Sequence, residues 1–321
     1  RCTPTTDRMP RTSRGGLVLA EQERPTGARR LVGALVIVAV IVGLGYAGYA
    51  ALSSLLAGPK SESCVATAAG QTAELAPDQA GNAAVIAAVG HTRGLSTRAV
   101  TIAIATAMQE SKLRNIRFGD RDSLGLFQQR PSQGWGTAEQ ILDPVYSSGA
   151  FYDRLVKVTD FETRPLTEVA QAVQRSAFPQ AYAKHEEEAV ALAHALTGAT
   201  PAALTCDLLP AVAADSPAAT IAGGSSAGAA GATTSTTLAA RTKALATALQ
   251  AHHGVKATTS GTTVTVTASG ADAWAVASWA VANAKTYAIT AVTTEQRRWY
   301  RDGAAWSTAP AQPGVQITLL G

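Results

Sequence analysis

The sequence predicts a multi-domain protein with a single N-terminal transmembrane helix, a mainly α domain and a small α+β C-terminal domain with an antiparallel sheet. Three observations support this fold class. An uncharged apolar run occupies residues 31–56, two cysteines bracket a helix-rich stretch at 64–206, and a segment of almost only Ala, Gly, Ser, Thr and Pro precedes residues 237–321. Such a composition cannot bury enough apolar area to fold, so we predict a flexible linker at 207–236.

The charge of the chain does not indicate a nucleic-acid-binding protein. Its 321 residues carry 27 Lys and Arg against 23 Asp and Glu, a net charge of +4. Residues 1–30 hold 7 of the basic and 3 of the acidic residues, so the remainder of the chain is neutral. We predict no nucleic-acid partner.

The tail at 1–30 has no hydrophobic period, and we interpret it as a disordered cytoplasmic segment.

The apolar run at 31–56 predicts a membrane anchor. At about 1.5 Å per residue, it is long enough to cross a hydrocarbon core of roughly 30 Å. Arg29 and Arg30 directly before it place the N-terminus in the cytoplasm. We therefore expect a single-pass protein of the cell (plasma) membrane, with the helix at 31–58 and the C-terminal bulk extracytoplasmic. Small residues around Ala47–Ala51 leave a cleaved secretory signal as the alternative.

Cysteine usage agrees with an extracytoplasmic location. Cys2 lies in the tail, whereas Cys64 and Cys206 lie beyond the apolar run, and two cysteines in an oxidising compartment are most simply paired. We predict that this disulfide joins the two ends of the helix-rich domain. There is no Cys-x-x-Cys motif, and the five His are not at ligand spacing with Cys or Asp, so we predict neither a metal nor a cofactor.

Helices dominate the stretch between these cysteines. Ser96 is the expected N-cap of a helix whose residues from Ala99 to Met108 are apolar on nearly every side, which predicts that this helix is buried. Asp143 or Pro144 begins another helix. The remaining helices of the domain are predicted at 78–90, 166–174 and 183–196.

The C-terminal segment reads as a small α+β sandwich. Asp302-Gly303 between two aromatic runs is a strong hairpin signal. Asp272 is the expected cap of a second helix. Arg297, Arg298 and Arg301 fit either contacts with an anionic wall polymer or a solvated strand face, and the sequence indicates no partner for this domain. The other predicted elements are a helix at 237–253 and strands at 255–259, 262–268, 287–293 and 315–320.

The candidate catalytic residue is Glu110, where the buried helix ends and the apolar pattern gives way to polar residues. A carboxylate at the rim of an apolar helix loses hydration. Because this loss disfavours the charged form, it raises the pKa of the carboxyl group. A carboxyl group with a raised pKa is suited to act as a general acid near neutral pH.

The residues that follow Glu110 carry a family resemblance. Glu110-Ser111 is followed by a polar loop and then by Gly125-Leu126-Phe127-Gln128. This arrangement resembles the lysozyme-like lytic transglycosylases and goose-type lysozymes, whose motif is a helix-terminal Glu-Ser, a short loop and Gly-Leu-Met-Gln. Phe127 replaces the Met of that motif. The resemblance implies a lysozyme-like domain, similar to soluble transglycosylases, at 64–206.

The resemblance also implies a reaction and a set of site residues. The reaction is cleavage of the MurNAc–GlcNAc bond in the glycan strands of peptidoglycan, with Glu110 acting first as acid and then as base. The family's second motif, Ala-x-x-x-Tyr-Asn-x-Gly, corresponds here to residues 170–177, where Gln174 stands in place of Tyr and Arg175 in place of Asn. Residues predicted to shape the pocket or to stack on sugars are Ser111, Gly125, Gln128, Gln174, Trp135 and Tyr182.

Two aspartates keep a second reaction type open. Asp120 or Asp122 could orient a water molecule, which would make the enzyme a hydrolytic lysozyme. The other interpretation is that both form loop salt bridges with Arg117, Arg121 and Arg130.

At the level of function, the two hypotheses are a membrane-anchored peptidoglycan-cleaving enzyme and a non-catalytic wall-binding or scaffold protein with a degenerate lysozyme fold. The altered second motif is what supports the scaffold.

Overall fold

The computed structural model describes residues 35, 39–49, 61–175, 179–212, 237–303 and 305–321. The chain divides into two compact units, Arg1–Lys60 and Ser61–Gly321. In the first unit, the described residues are helical.

The prediction of a transmembrane helix at 31–58 is corrected by the structure. Within the described residues, no helix combines the length and the apolar character that a membrane crossing requires. The helical run at 39–49 spans only about 16 Å, roughly half of a hydrocarbon core. The remainder of the predicted span, apart from residue 35, lies outside the described residues, as does the predicted tail at 1–30.

The second unit begins with a three-stranded antiparallel sheet that the sequence analysis did not predict. Strands β1 (Ser63–Ala68) and β2 (Gln71–Leu75) form a hairpin, and β3 (Leu204–Asp207) pairs with the other side of β1. Cys64 and Cys206 are register partners in this sheet and are joined by a disulfide bond. The predicted pairing of these two cysteines is confirmed, and it ties together the ends of the helical domain.

Between β2 and β3, the described residues form six helices. They are α1 (Pro77–Thr92), α2 (Thr97–Ser111), α3 (Ala138–Ile141), α4 (Pro144–Leu155), α5 (Leu166–Gln174) and α6 (Glu186–Leu196), with short 3₁₀ segments at Pro131–Gln133 and Pro179–His185. Helix α2 is the core helix, since its residues from Ala99 to Met108 are all buried. The Ser96 hydroxyl accepts a hydrogen bond from Ala99 N at 3.1 Å, the cap that the sequence predicted.

A second antiparallel sheet with two helices forms the C-terminal part. The helices are α7 (Leu238–His253) and α8 (Gly270–Ala282), and the strands β4 (Ala257–Ser260), β5 (Thr263–Val266), β6 (Ile289–Tyr300) and β7 (Trp306–Leu319) lie in the order β4-β5-β7-β6. Asp272 does not cap α8: Ser269 is the N-cap, and Asp272 lies in the first turn, 3.2 Å from His91 Nε2.

The helical part and the C-terminal part contact each other directly. The indole nitrogen of Trp306 donates to Leu204 O at 2.8 Å, and the Arg301 guanidinium donates to Leu209 O at 2.5 Å. Helix α8 approaches the end of α6 so closely that a Cβ at Gly198 would lie 2.0 Å from Ala271 O. The buried apolar residues of both parts, among those that the structure describes, therefore form a continuous core. Most of the predicted linker, 213–236, lies outside the described residues, and the domain boundaries stay predictions.

Candidate active site

Glu110 lies in the last turn of α2 and is half-buried, with the apolar body of the helix on one side. The helix ends one residue later, because Lys112 adopts a left-handed conformation at φ +55°. Burial raises the pKa of the Glu110 carboxyl, since the charged form loses hydration there. The physical condition that the sequence suggested for a general acid is therefore present at this residue.

Two neutral side chains contact the Glu110 carboxyl and oppose this rise in pKa. The Tyr182 hydroxyl donates a hydrogen bond to Glu110 Oε1 at 2.7 Å. Gln174, at the end of α5, also favours the charged form by hydrogen bonding. Tyr182 and Gln174 are 72 and 64 residues away in the sequence, so the fold assembles this group from three separate elements. The carboxyl has a fixed orientation, because a hydrogen bond from a fully buried tyrosine holds one of its oxygens.

Ser111 joins the two halves of the Glu-Ser and Gly-Leu-Phe-Gln motif. Its hydroxyl donates to Leu126 O at 2.7 Å and accepts from Arg114 N at 3.2 Å. The side chain is 8% exposed. In this structure, Ser111 therefore positions the loop against α2, and its contacts are with the protein backbone.

Gly125 is required by two features of this loop. Its φ of +76° is costly for other residues, and a Cβ would lie 2.7 Å from Ile141 O at the end of α3. Gln128 also has a positive φ of +48°, and its amide lies over Gly119, where a Cβ would clash with Gln128 Oε1. Gln128 Nε2 donates to Gly125 O at 3.2 Å. The loop is thus a compact turn that closes on itself next to Glu110.

Gln174 connects the second motif to the first. Its Nε2 donates to Phe127 O at 2.7 Å, and Phe127 stacks on Phe151 with ring centroids 4.7 Å apart. This hydrogen bond fixes the amide orientation, because a carbonyl can only accept. Gln174 Oε1 is buried and has no hydrogen-bond partner among the described residues. Gln174 therefore contacts both the candidate acid and the Gly-Leu-Phe-Gln loop.

The aromatic residues predicted to stack on sugars do not offer open ring faces. Tyr182 is 0% exposed, and Trp135 is 6% exposed beneath Arg154, whose guanidinium carbon lies 3.2 Å from the ring centroid. Both predictions need correction for the same reason, namely that the rings pack inside the protein. Tyr182 belongs to the site through its hydroxyl group, and Trp135 supports the Arg154 guanidinium.

The two loop aspartates differ in their surroundings. Asp122 accepts from Arg130 Nε at 2.6 Å and from Ser132 N at 2.8 Å. Hydrogen bonding by the Ser132 side chain, by Arg130 and by the Ser132 backbone holds the pKa of the Asp122 carboxyl well below its ordinary value. Asp120 is 91% exposed and lies 4.0 Å from Arg121. The geometry supports the salt-bridge interpretation for Asp122, and it places neither carboxylate in contact with Glu110.

One exposed aromatic residue, Phe118, was not among the predicted site residues. Phe118 lies in the loop between Glu110 and Gly125 and is 75% exposed, the highest value among the large apolar side chains of the described residues. The signal was present, because an aromatic flanked by Arg117 and Gly119 in a polar loop has no apolar neighbours to pack against. Its ring is an open platform of the kind that Trp135 was expected to provide.

No group of three His, Cys, Asp or Glu that could hold a metal ion occurs in the part of the chain that the structure describes.

Comparison with known proteins gave no assignment: no protein-family model matches the chain, and no curated protein sequence matches it.

Proposed function

We propose that this protein is a peptidoglycan-cleaving enzyme that acts on the MurNAc–GlcNAc glycosidic bond, with Glu110 as its acid and base. The observation that carries the proposal is the Glu110 carboxyl, half-buried at a helix end with a raised pKa and oriented by Tyr182. Cleavage of a glycosidic bond requires a proton for the leaving oxygen, and an acid that is protonated near neutral pH can supply it.

The neighbours of Glu110 also suit a group that acts first as acid and then as base. Burial, the larger effect, favours the neutral acid, whereas the hydrogen bonds of Tyr182 and Gln174 favour the carboxylate. Both protonation states of Glu110 therefore have a source of stabilisation in the site.

The mechanism that fits a single carboxyl group is the lytic transglycosylase reaction. Glu110 donates its proton to the glycosidic oxygen as the bond to the MurNAc C1 breaks, and the acetamido oxygen of the same sugar bonds to C1. The Glu110 carboxylate then accepts the proton of the sugar's 6-hydroxyl as that oxygen displaces the acetamido oxygen. The products are a free GlcNAc end and a 1,6-anhydro-MurNAc end, and no water is consumed.

The surroundings of the two aspartates favour this reaction over hydrolysis. A water-orienting carboxylate needs a free oxygen facing the reacting carbon. The Arg130 and Ser132 contacts occupy both oxygens of Asp122, and Asp120 points into solvent with 91% of its side chain exposed. We therefore place the transglycosylase reaction ahead of the lysozyme reaction.

The compartment we propose is extracytoplasmic, where peptidoglycan is found. The Cys64–Cys206 disulfide supports this location, because structural disulfides persist in oxidising compartments.

The test is release of soluble muropeptides from purified cell wall by the full-length chain and by Glu110→Gln. The substitution keeps the size of the side chain but removes the proton, and loss of general acid catalysis costs about 10²–10⁴ in rate. Asp120→Asn is a matched control that removes an exposed carboxylate from the nearby loop. Products lacking one water per cut identify the transglycosylase. Undiminished release by Glu110→Gln would remove Glu110 from the mechanism, and no release by the wild type would favour the wall-binding scaffold.

A further inference from the structure

A cleft lined by three cationic side chains opens beside the candidate active site. Its volume is about 420 Å³, and the cations are Arg154 and Lys157, at and just beyond the end of α4, and Arg175, which follows α5. Gln133 contributes an amide, and the apolar lining comes from Val158, just beyond α4, and from Ala172 and Val173 of α5. Two helix ends and the loop after Gln129 thus direct positive charge into one concave space.

These three cations have no acidic partners. Among the residues that the structure describes, none of Arg154, Lys157 and Arg175 forms a salt bridge. Arg154 and Arg175 are close enough to repel each other: burial lowers the pKa of the Arg154 guanidinium, and the charge of Arg175 lowers it further. Like charges that are brought together without a counter-charge are destabilising, and a bound anion would relieve this repulsion.

Arg154 is held in a fixed orientation for such an anion. Its guanidinium lies over the Trp135 ring at 3.2 Å and donates through Nη2 to Gly134 O at 3.2 Å. A planar guanidinium held in this way presents its remaining N–H groups in the fork that binds a carboxylate through both oxygens. Since the ring beneath it is buried, the orientation does not depend on the ligand.

The cleft is adjacent to Glu110 through helix α5. Gln174, which contacts Glu110, precedes Arg175 directly, and consecutive Cα atoms are about 3.8 Å apart. Gln174 faces the site, whereas Arg175 adopts a left-handed conformation at φ +55° that turns the chain away from the helix. Helix α5 therefore ends with the residue that contacts Glu110, and the residue directly after it lines the cleft.

We propose that this cationic cleft is a subsite for the carboxylates of the peptide that peptidoglycan carries on MurNAc. The inference rests on the proposed function, because that function places MurNAc at Glu110. The stem peptide is linked to the lactyl group of that same sugar, so its carboxylates accompany every bond that the enzyme cleaves. A phosphate polymer of the wall has no such fixed position relative to the reacting sugar. The subsite would make the enzyme prefer peptide-bearing glycan over glycan stripped of its peptides.

Binding is measured by isothermal titration calorimetry on the full chain with two sugar probes and, separately, with a glycerol-phosphate oligomer. The first is the GlcNAc-MurNAc-tetrapeptide, which lacks the cleavable MurNAc–GlcNAc bond, and the second is the same disaccharide after an amidase has removed the peptide. The variants are Lys157→Gln and Arg175→Gln. Lys256→Gln is the matched control, because it removes an exposed lysine from the C-terminal part. Thermal unfolding verifies that each variant is folded, and Lys157→Glu, at an exposed position, replaces Arg175→Gln should the latter fail.

We expect each of the two cleft variants to bind the peptide-bearing probe about 3- to 10-fold more weakly, with a smaller difference at high salt. Binding of the stripped disaccharide and binding by Lys256→Gln should change less than about twofold. Equal weakening for both probes, no effect of the cleft variants, or no preference of the wild type for the peptide would overturn the inference. So would weakened binding of a glycerol-phosphate oligomer alone.

Muropeptide release by the wild type separates this inference from the proposed function. Release without peptide-dependent binding overturns the subsite and leaves the enzyme standing. Peptide-dependent binding that requires Lys157 and Arg175, together with no release, overturns the enzymatic proposal and leaves the subsite.

Discussion

Removal of one hydroxyl group tests whether Glu110 acts as the acid. In Tyr182→Phe, the ring still fills its buried position, but the 2.7 Å hydrogen bond to Glu110 Oε1 is lost. That bond favours the charged carboxylate and so lowers the pKa of Glu110, against the larger effect of burial. The substitution should therefore raise the pKa of Glu110 further and keep it protonated to a higher pH.

The magnitude follows from the energy of a hydrogen bond to a charged group. Such a bond contributes about 1.5–3 kcal/mol, and 1.36 kcal/mol corresponds to one pKa unit. The neutral acid also accepts a bond from Tyr182 through its carbonyl oxygen, so only the difference between the two states counts. We expect the pKa of Glu110 to rise by about 1 in Tyr182→Phe.

The assay is the pH dependence of kcat/KM for muropeptide release, between about pH 4 and pH 9, by the full-length chain. A catalytic acid must be protonated, so activity falls as pH rises through the pKa of Glu110. This alkaline limb should move up by about one pH unit in Tyr182→Phe. Tyr287→Phe is the control, because it removes a hydroxyl from a buried tyrosine in the C-terminal part. An alkaline limb that stays in place, or moves down, would refute the reasoning.

Three further predictions concern the loop, the disulfide and the C-terminal part. Asp122→Asn should change the rate of muropeptide release by less than about threefold and still yield 1,6-anhydro products, because the Asp122 oxygens are bonded to the loop. A hundredfold loss of activity in a folded variant would instead support a water-orienting role for Asp122. Cys64→Ser together with Cys206→Ser removes the disulfide between residues with a sequence separation of 142. Urea denaturation should show that the free energy of unfolding falls by up to about 5 kcal/mol. An unchanged denaturation midpoint would contradict this. Burial lowers the pKa of His253 from 6.5 to about 3, so the neutral ring stabilises the fold above pH 6.5 and this stability is lost as pH falls towards 3. His253→Leu should reduce the slope of stability against pH by at most about 1.4 kcal/mol per pH unit, measured by thermal unfolding from pH 7 to pH 4, and His252, whose pKa burial lowers to about 4, should keep part of the slope. An unchanged slope would contradict this.

Local patterns were sufficient to predict the helix that carries the candidate acid. Ser96 accepts the capping hydrogen bond, and the apolar run up to Met108 is buried, as a helix without a polar face should be. The rim position of Glu110 then followed from the point where this pattern ends. These features depend on residues within one or two helical turns, which is the range over which sequence patterns determine structure.

The contacts of the site could not be predicted in the same way, because they join distant segments. Tyr182 was expected to stack on a sugar, and its burial beneath Glu110 depends on how the 3₁₀ segment Pro179–His185 packs against α2. Likewise, Trp135 looked available in a Gly- and Pro-rich loop, but the distant Arg154 covers its ring. The transmembrane prediction was wrong although it concerned a single local run. It rested on hydropathy and length alone, and the described helical run at 39–49 is too short to cross a membrane.

The geometry separates the chemistry of the proposed enzyme from its recognition of substrate. The pKa of Glu110 is set by burial and by two neutral side chains, Tyr182 and Gln174, with no charged group among the causes. The cations of the cleft are not among these causes, although one of them, Arg175, directly follows Gln174, and we therefore expect them not to set the protonation of the acid. It follows that loss of Lys157 should raise KM for peptide-bearing wall and leave the alkaline limb in place, whereas loss of the Tyr182 hydroxyl should move that limb. A Lys157 variant that shifted the limb would mean that the cleft and the acid act as one electrostatic unit.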